Sequence, residues 1–148
     1  MTISLKNLSK KNESKIKNLA RIYLKEITRK KTIKLDDLNK FIKILKFKAN
    51  FFWIYNNRTK IGFVGIYYNF TSIRSCYIRD FFILKKYRKK RKGTLVFKKI
   101  INICKKKKLK KIKIDILRNN RKVEKFWISL GFKKKMKSYY YKINYASN

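Results

Sequence analysis

The spacing of apolar residues changes several times along this chain, and that change limits the fold more than any other feature of the sequence. Two segments near the N-terminus carry apolar residues three and four positions apart, the spacing of amphipathic helices. The middle of the chain has short apolar or alternating runs, which are typical of strands. Helical spacing returns from Thr94, and alternation returns from Lys111. This order predicts an α+β fold.

The individual elements follow from these spacings. The predicted elements are an apolar start at 3–8, helices at about 12–27 and around 38–45, strands at 51–55, 61–68 and about 74–84, a helix from 94 to the charge run 105–108, a strand at 111–117, a short helix capped by Asn119 or Asn120 and ended by Gly131, and a last strand at 138–145. No Pro-rich or Ser-rich linker separates them. Residues 1–148 are therefore expected to form one domain.

Missing residue types exclude several kinds of site. The chain has no His and only two cysteines, so a Ser-His-Asp or Cys-His catalytic unit and a zinc site cannot be assembled, and no metal is expected. The longest apolar runs, such as 61–68, are too short to span a bilayer. We expect a cytoplasmic protein without a membrane partner.

The formal net charge of +37 has two explanations. Lys and Arg neutralise phosphates, so the charge could indicate a polyanionic partner such as RNA. The abundant residues Lys, Ile, Asn, Phe and Tyr are all encoded by AT-rich codons, so nucleotide bias explains the same composition. Charge alone therefore predicts no specific nucleic-acid partner.

A basic loop follows the strand at about 74–84 and leads into a helix. Gly93 and Thr94 stand at the predicted start of that helix, where unpaired N–H groups and the helix dipole attract anions. Full charges for binding a pyrophosphate come from Arg88, Lys89, Lys90, Arg91 and Lys92. A solvated basic turn is the alternative interpretation.

Two motifs in this order resemble those of the GNAT superfamily of acyl-CoA-dependent N-acetyltransferases. The family's phosphate loop, R/Q-x-x-G-x-G/A, falls on Arg88, Arg91 and Gly93, with Arg91 in place of the middle glycine. The family's later motif, N-x-x-A-x-x-F/L-Y-x-x-x-G-F, is similar to NRKVEKFWISLGF at 120–132. The helix and strand that the family requires lie between the two motifs.

This resemblance implies a mixed, mostly antiparallel sheet of about six to seven strands flanked by four helices. It implies acetyl-CoA as co-substrate and an amine as acceptor. The pantetheine arm of acetyl-CoA would pair with backbone around Phe81, Phe82 and Ile83, and the pyrophosphate of acetyl-CoA would lie on the amides from Lys89 to Thr94. Asn120 and Trp127 are the further cofactor contacts that the resemblance implies.

The strand sequence YIRDFFIL most resembles the diamine and polyamine acetyltransferase branch, but two residues depart from the family. Trp127 stands where many relatives have an acidic tyrosine, and Arg79 stands where that branch has a glutamate. Asp115 is our first choice of general base and Asp80 the second. For each, a surface ion pair with a neighbouring cation is the alternative.

Arg91 has a consequence for the backbone, because a loop that wraps a phosphate closely often needs a positive φ. We expect strain there. Three functions stay open: an active N-acetyltransferase for a small amine or a protein amine, a GNAT-fold CoA-binding protein with impaired catalysis, and a basic RNA- or ribosome-associated protein. The oligomeric state also stays open, with a homodimer as one option.

Overall fold

The computed structural model describes residues 2–7, 13–47, 50–69, 72–117 and 120–145. The four helices of these ranges are α1 (Glu13–Thr28), α2 (Leu35–Phe47), α3 (Lys92–Lys106) and α4 (Arg121–Ser129). The strands are β1 (Ile3–Asn7), β2 (Asn50–Asn56), β3 (Thr59–Tyr68), β4 (Ser75–Ile83), β5 (Lys111–Ile114), β6 (Lys133–Lys135) and β7 (Ser138–Lys142). None of the helices in these ranges combines the length and the apolar character of a membrane-spanning segment.

The seven strands form one mixed sheet in the order β1-β2-β3-β4-β5-β7-β6. The pairing of β4 with β5 is parallel, and the remaining pairings are antiparallel. The sheet and its four helices confirm the predicted α+β architecture. Parallel neighbours need a crossover connection, and α3 provides it between β4 and β5.

Two predicted strands end earlier in the structure, and two short elements are additional. The strand predicted at 111–117 ends at Ile114, and the last strand, predicted at 138–145, ends at Lys142. Strand β6 and a short 3-10 turn at Lys85–Tyr87 were not predicted. Strand β6 consists of three exposed lysines, so its sequence carries no alternation. Leu8, Asn12 and Asn119, which the predictions included, lie outside the described residues.

Each face of the sheet has its own apolar core, because a different pair of helices covers each face. Residues of α1 and α2 pack with Phe51, Trp53, Phe63 and Phe82 on one face. Residues of α3 and α4 pack with the other face in a larger cluster that includes Ile78, Ile112 and Ile114. The helical spacings that defined these segments therefore correspond to their buried sides.

A β-bulge in β4 decides which face each of its side chains enters. Gly65 of β3 pairs with Asp80, but the next residue, Ile66, pairs with Ile78, so Arg79 is an extra residue. Cys76 and Ile78 belong to the α3/α4 core. Strict alternation would place Asp80 on that face as well, whereas the bulge places Asp80 and Phe82 on the face of α1 and α2.

Candidate active site

The pairing of β4 with β5 stops part-way along β4, at a point that we call the divergence of the two strands. They pair from Ser75↔Lys111 to Ile78↔Ile114, and β4 then continues to Ile83 while β5 has ended. In the described part of the chain, no strand pairs with the remaining length of β4 on this side. Its backbone groups there can accept an extended ligand as an additional strand.

The loop before α3 has an unusual backbone. Lys89, Lys90 and Arg91 have φ values of 66°, 53° and 59°, which is the left-handed region that ordinary residues avoid. All three side chains are exposed. Their N–H groups have no hydrogen-bond acceptor among the described residues, so free donors and cations meet at a helix N-terminus. This arrangement suits a phosphate group.

Arg88 begins this loop but is already engaged by protein groups. Its Nε donates a 2.7 Å hydrogen bond to the Ile83 carbonyl. Its two terminal nitrogens lie 2.6 Å and 2.7 Å from the carboxylate oxygens of Glu26 on α1. Such a bidentate pair holds both partners in one geometry, so Arg88 joins α1 to the loop.

The start of α3 lies close to α4. A Cβ atom added to Gly93 would lie 2.9 Å from the ring of Phe126, so a larger residue would displace that ring. Lys92, in the same turn, is buried, with its Nζ 5.1 Å from the ring centre of Tyr87. Thr94 is half-buried in the first turn of the helix. Gly93 therefore permits the contact between the two helices.

The residues of the second motif have local roles in α4. Asn120 caps the helix, because its side-chain oxygen accepts a 3.3 Å hydrogen bond from the Val123 N–H. Trp127 is 5% exposed. Its ring packs edge-on against Phe81, Phe97 and Phe132, with centroid separations of 5.2, 5.9 and 5.1 Å. Trp127 thus helps to fix α4 over β4.

Asp80 is a buried carboxylate, only 4% exposed. Tyr23 of α1 donates a 2.9 Å hydrogen bond to its Oδ1. Its Oδ2 is buried with no hydrogen-bond partner among the described residues, and the nearest cation, the Nε of Arg79, is 3.9 Å away. Burial raises the pKa of Asp80, although the charge of Arg79 and the Tyr23 hydrogen bond oppose this effect.

Asp115 is exposed by comparison, since its side chain keeps 45% of its accessible surface. Its Oδ2 accepts a 3.0 Å hydrogen bond from Tyr77 and its Oδ1 a 2.5 Å hydrogen bond from Ser138. The predicted ion pair with Lys113 is present at 3.9 Å. Burial, followed by the charge of Asp115, raises the pKa of Tyr77 to about 12. Both oxygens of Asp115 are therefore occupied by donors.

Strand β4 carries the buried carboxylate of Asp80, has an edge beyond Ile78 that β5 does not pair with, and precedes a loop with free N–H donors at the start of α3. The model of the family described as "Acetyltransferase (GNAT) family" matches residues 16–132. The chain belongs to the GNAT acetyltransferase family. This membership confirms the resemblance found in the two motifs. The curated proteins include no significant sequence match.

Solved acetyltransferase structures share this fold. An acetyltransferase from Thermus thermophilus is 11% identical, with a TM-score of 0.79 over 96% of this chain and 97% of its own. The spermidine N-acetyltransferase from Vibrio cholerae, solved with CoA and spermine, is 15% identical, with a TM-score of 0.74 over 95% of each chain. The ribosomal-protein-S18-alanine N-acetyltransferase from Escherichia coli is 10% identical, with a TM-score of 0.72 over 99% and 97%. These similarities establish the fold.

The fold brings the predicted GNAT site residues into two groups. Phe81, Phe82 and Ile83 border the divergence of the strands, and the basic loop follows them. Asp80 and Asp115 form the second group, and each accepts a hydrogen bond from a tyrosine. Sequence reasoning missed these two tyrosines, Tyr23 and Tyr77. Tyr23 is marked in the sequence only as one apolar-face residue of a helix, so no local signal identified its partner.

Proposed function

We propose that this protein transfers the acetyl group of acetyl-CoA to a primary amine, with Asp80 as the proton acceptor. The observation that carries the proposal is the buried Asp80 carboxylate on the central strand beside the divergence of β4 and β5; one of its oxygens has no hydrogen-bond partner among the described residues. Family membership supports the reaction class. A turnover assay with spermidine and with an alanine-initiated peptide distinguishes a small-amine acceptor from a protein-amine acceptor.

The cofactor would lie where the chain offers free backbone groups. The edge of β4 from Phe81 to Ile83 would pair with the pantetheine arm, and the amides from Lys89 to Thr94 would hold the pyrophosphate. Lys89, Lys90 and Arg91 would add positive charge, and salt would weaken its attraction for the phosphates. Acetyl-CoA supplies an acetyl thioester when bound.

Asp80 fits the role of general base better than Asp115, our first choice from the sequence. A base must have an oxygen that can take the amine proton. Asp80 has an oxygen without a hydrogen-bond partner among the described residues and a pKa raised by burial, whereas both oxygens of Asp115 accept hydrogen bonds. Because Asp80 is only 4% exposed, a water would carry the amine proton to it. Arg79, next to Asp80, is a cation and cannot take the proton.

The reaction needs one proton removed and one supplied. The amine nitrogen forms a bond to the acetyl carbon, its proton passes to Asp80, and the carbon–sulfur bond breaks with its electron pair on sulfur. The thiolate needs a proton from another donor, because the indole of Trp127 is not an acid and its ring is packed in the core. We assign that proton to water. Catalysis then depends mainly on positioning.

Binding of acetyl-CoA is tested by calorimetry at physiological salt. The variant Lys89→Glu/Lys90→Glu reverses two exposed charges of the loop. The matched control, Lys98→Glu/Lys99→Glu, makes the same change on exposed positions in the middle of α3. We expect saturable one-to-one binding that the loop variant weakens at least tenfold and the control leaves nearly unchanged. Equal losses in both variants would indicate general charge attraction and contradict the cofactor site.

Turnover is tested with spermidine and with a peptide that begins with alanine, following thiol release at several pH values. Asp80→Asn should abolish transfer while Asp115→Asn retains most of it. Saturable acetyl-CoA binding without transfer to either amine would favour the catalytically impaired CoA-binding protein. Stronger binding to single-stranded RNA than to acetyl-CoA at physiological salt would favour the RNA-associated protein instead.

A further inference from the structure

Tyr23 is the only group that hydrogen-bonds the Asp80 carboxylate in the described part of the chain. The tyrosine lies on α1 and the aspartate on β4, 57 residues later. The bond exists because the bulge at Arg79 turns Asp80 toward the helices α1 and α2. A helix that packs on the sheet thus supplies a direct contact to the proposed base.

The ring of Tyr23 is held firmly by its neighbours. It packs against Phe41, Phe63 and Phe82, with centroid separations of 5.6, 5.2 and 5.3 Å. These rings come from α2, β3 and β4, so the phenol is enclosed from three elements. Burial, followed by the charge of Asp80, raises the pKa of Tyr23 well above its ordinary value. The phenol is therefore neutral at physiological pH and acts as a donor.

A second contact fixes the helix itself. Glu26 lies one turn after Tyr23 on α1 and holds Arg88 through both carboxylate oxygens. Arg88 in turn binds the Ile83 carbonyl at the end of β4. Helix α1 is consequently attached to β4 at two places, at Asp80 and just after Ile83, and its rotation or sliding would break both.

We propose that Tyr23 is a positioning residue: it holds Oδ1 of Asp80 so that Oδ2 remains oriented and free to take the proton of the acceptor amine. This inference rests on the proposed function. The other described groups around the Asp80 carboxylate do not hydrogen-bond to its Oδ2. Arg79 Nε is 3.9 Å from Oδ2, Tyr77 is close enough for the Asp80 charge to affect its pKa, and Leu45 of α2 and Gly65 of β3 are apolar neighbours.

The test compares three Tyr→Phe variants that each remove one tyrosine–carboxylate hydrogen bond. Tyr23→Phe removes the bond to Asp80, Tyr77→Phe removes the bond to Asp115, and Tyr139→Phe removes a bond to Glu124 elsewhere. All three keep the aromatic ring, so the packing should survive. The readout is kcat/KM against pH, with spermidine and the alanine-initiated peptide as acceptors.

The expected result is specific to Tyr23. Since its hydrogen bond lowers the pKa of Asp80, Tyr23→Phe should move the acid-side limb of kcat/KM to higher pH. At pH values below that limb, kcat/KM should fall about tenfold, in keeping with the loss of a hydrogen bond to a charged group. Tyr139→Phe should leave the limb in place. Replacing Tyr23 with 3-fluorotyrosine, a stronger donor, should move the limb to lower pH.

A direct titration accompanies the kinetics. The chain has four aspartates, so ¹³Cγ labelling of Asp gives four carboxyl resonances, and Asp80→Asn identifies that of Asp80. The Asp80 resonance should titrate at higher pH in Tyr23→Phe than in the wild type. An unchanged Asp80 titration, or a limb that moves in Tyr77→Phe but not in Tyr23→Phe, overturns the inference. Absence of transfer by the wild-type protein overturns the proposed function itself, which is a distinguishable result.

Discussion

Replacing Arg91 with glycine should stabilise the protein, because the native φ of 59° is unfavourable for a residue with a Cβ atom. The left-handed conformation costs such a residue about 1–2 kcal/mol. Glycine avoids this cost but loses about 0.5–1 kcal/mol through its greater freedom in the unfolded chain. The net gain in the free energy of unfolding is then about 0.5–1 kcal/mol, or about 2 °C in Tm.

The matched control for this prediction is Arg58→Gly. Arg58 is also exposed and also lies in a turn, but its φ is not in the left-handed region. Arg58→Gly removes the same charge but relieves no backbone strain, so it should lower the free energy of unfolding by about 0.5–1 kcal/mol. Urea unfolding measures the free energy of unfolding of each variant, and equal m-values allow the two to be compared. If Arg91→Gly is no more stable than Arg58→Gly, the loop is not strained at Arg91 and this reasoning is wrong.

Three further predictions concern the central strands and α4. Gly62→Ala should lower the free energy of unfolding by about 2–3 kcal/mol or more, because the added Cβ would lie 1.9 Å from the Phe82 carbonyl oxygen; Gly65→Ala, whose Cβ would meet only the Leu45 and Asp80 side chains at 3.3 Å or more, should cost clearly less in the same urea titration. Trp127→Ala should cost about 3–5 kcal/mol, measured by thermal unfolding, and a loss close to zero would show that this ring is not a core residue. Asp80→Asn should be more stable than the wild type at pH 7. Burial raises the pKa of Asp80, so the protonated carboxyl stabilises the folded state below the unfolded-state pKa, and this stabilisation disappears as pH rises through the folded-state pKa. The difference in the free energy of unfolding between Asp80→Asn and the wild type should therefore be absent near pH 3 and grow toward pH 7. A difference that stays constant with pH would contradict this prediction.

Much of the architecture could be predicted because its signals are local. The helical spacing of Phe97, Ile100 and Cys104 identified α3, and these residues are buried in one core. Alternation identified β5, although the strand ends three residues earlier than predicted. The strand ends where its pairing with both β4 and β7 ends, at Ile114, and such pairing is a relation between strands. Strand β6 was missed because Lys133–Lys135 are three exposed lysines without apolar alternation, and their pairing with β7 is a contact between two strands.

The site shows the same division between local and tertiary information. The sequence by itself determined the family, the basic loop before α3 and the need for a positive φ at Arg91, since each depends on residues that are neighbours in the chain. The tertiary structure decided which carboxylate is buried. Asp80 and Asp115 look alike in sequence, but a one-residue bulge turns Asp80 under α1, where Tyr23 binds it, while Asp115 stays exposed beside Lys113. Burial and hydrogen bonding between distant segments depend on how helices pack on the sheet, and no local pattern of residues records that packing.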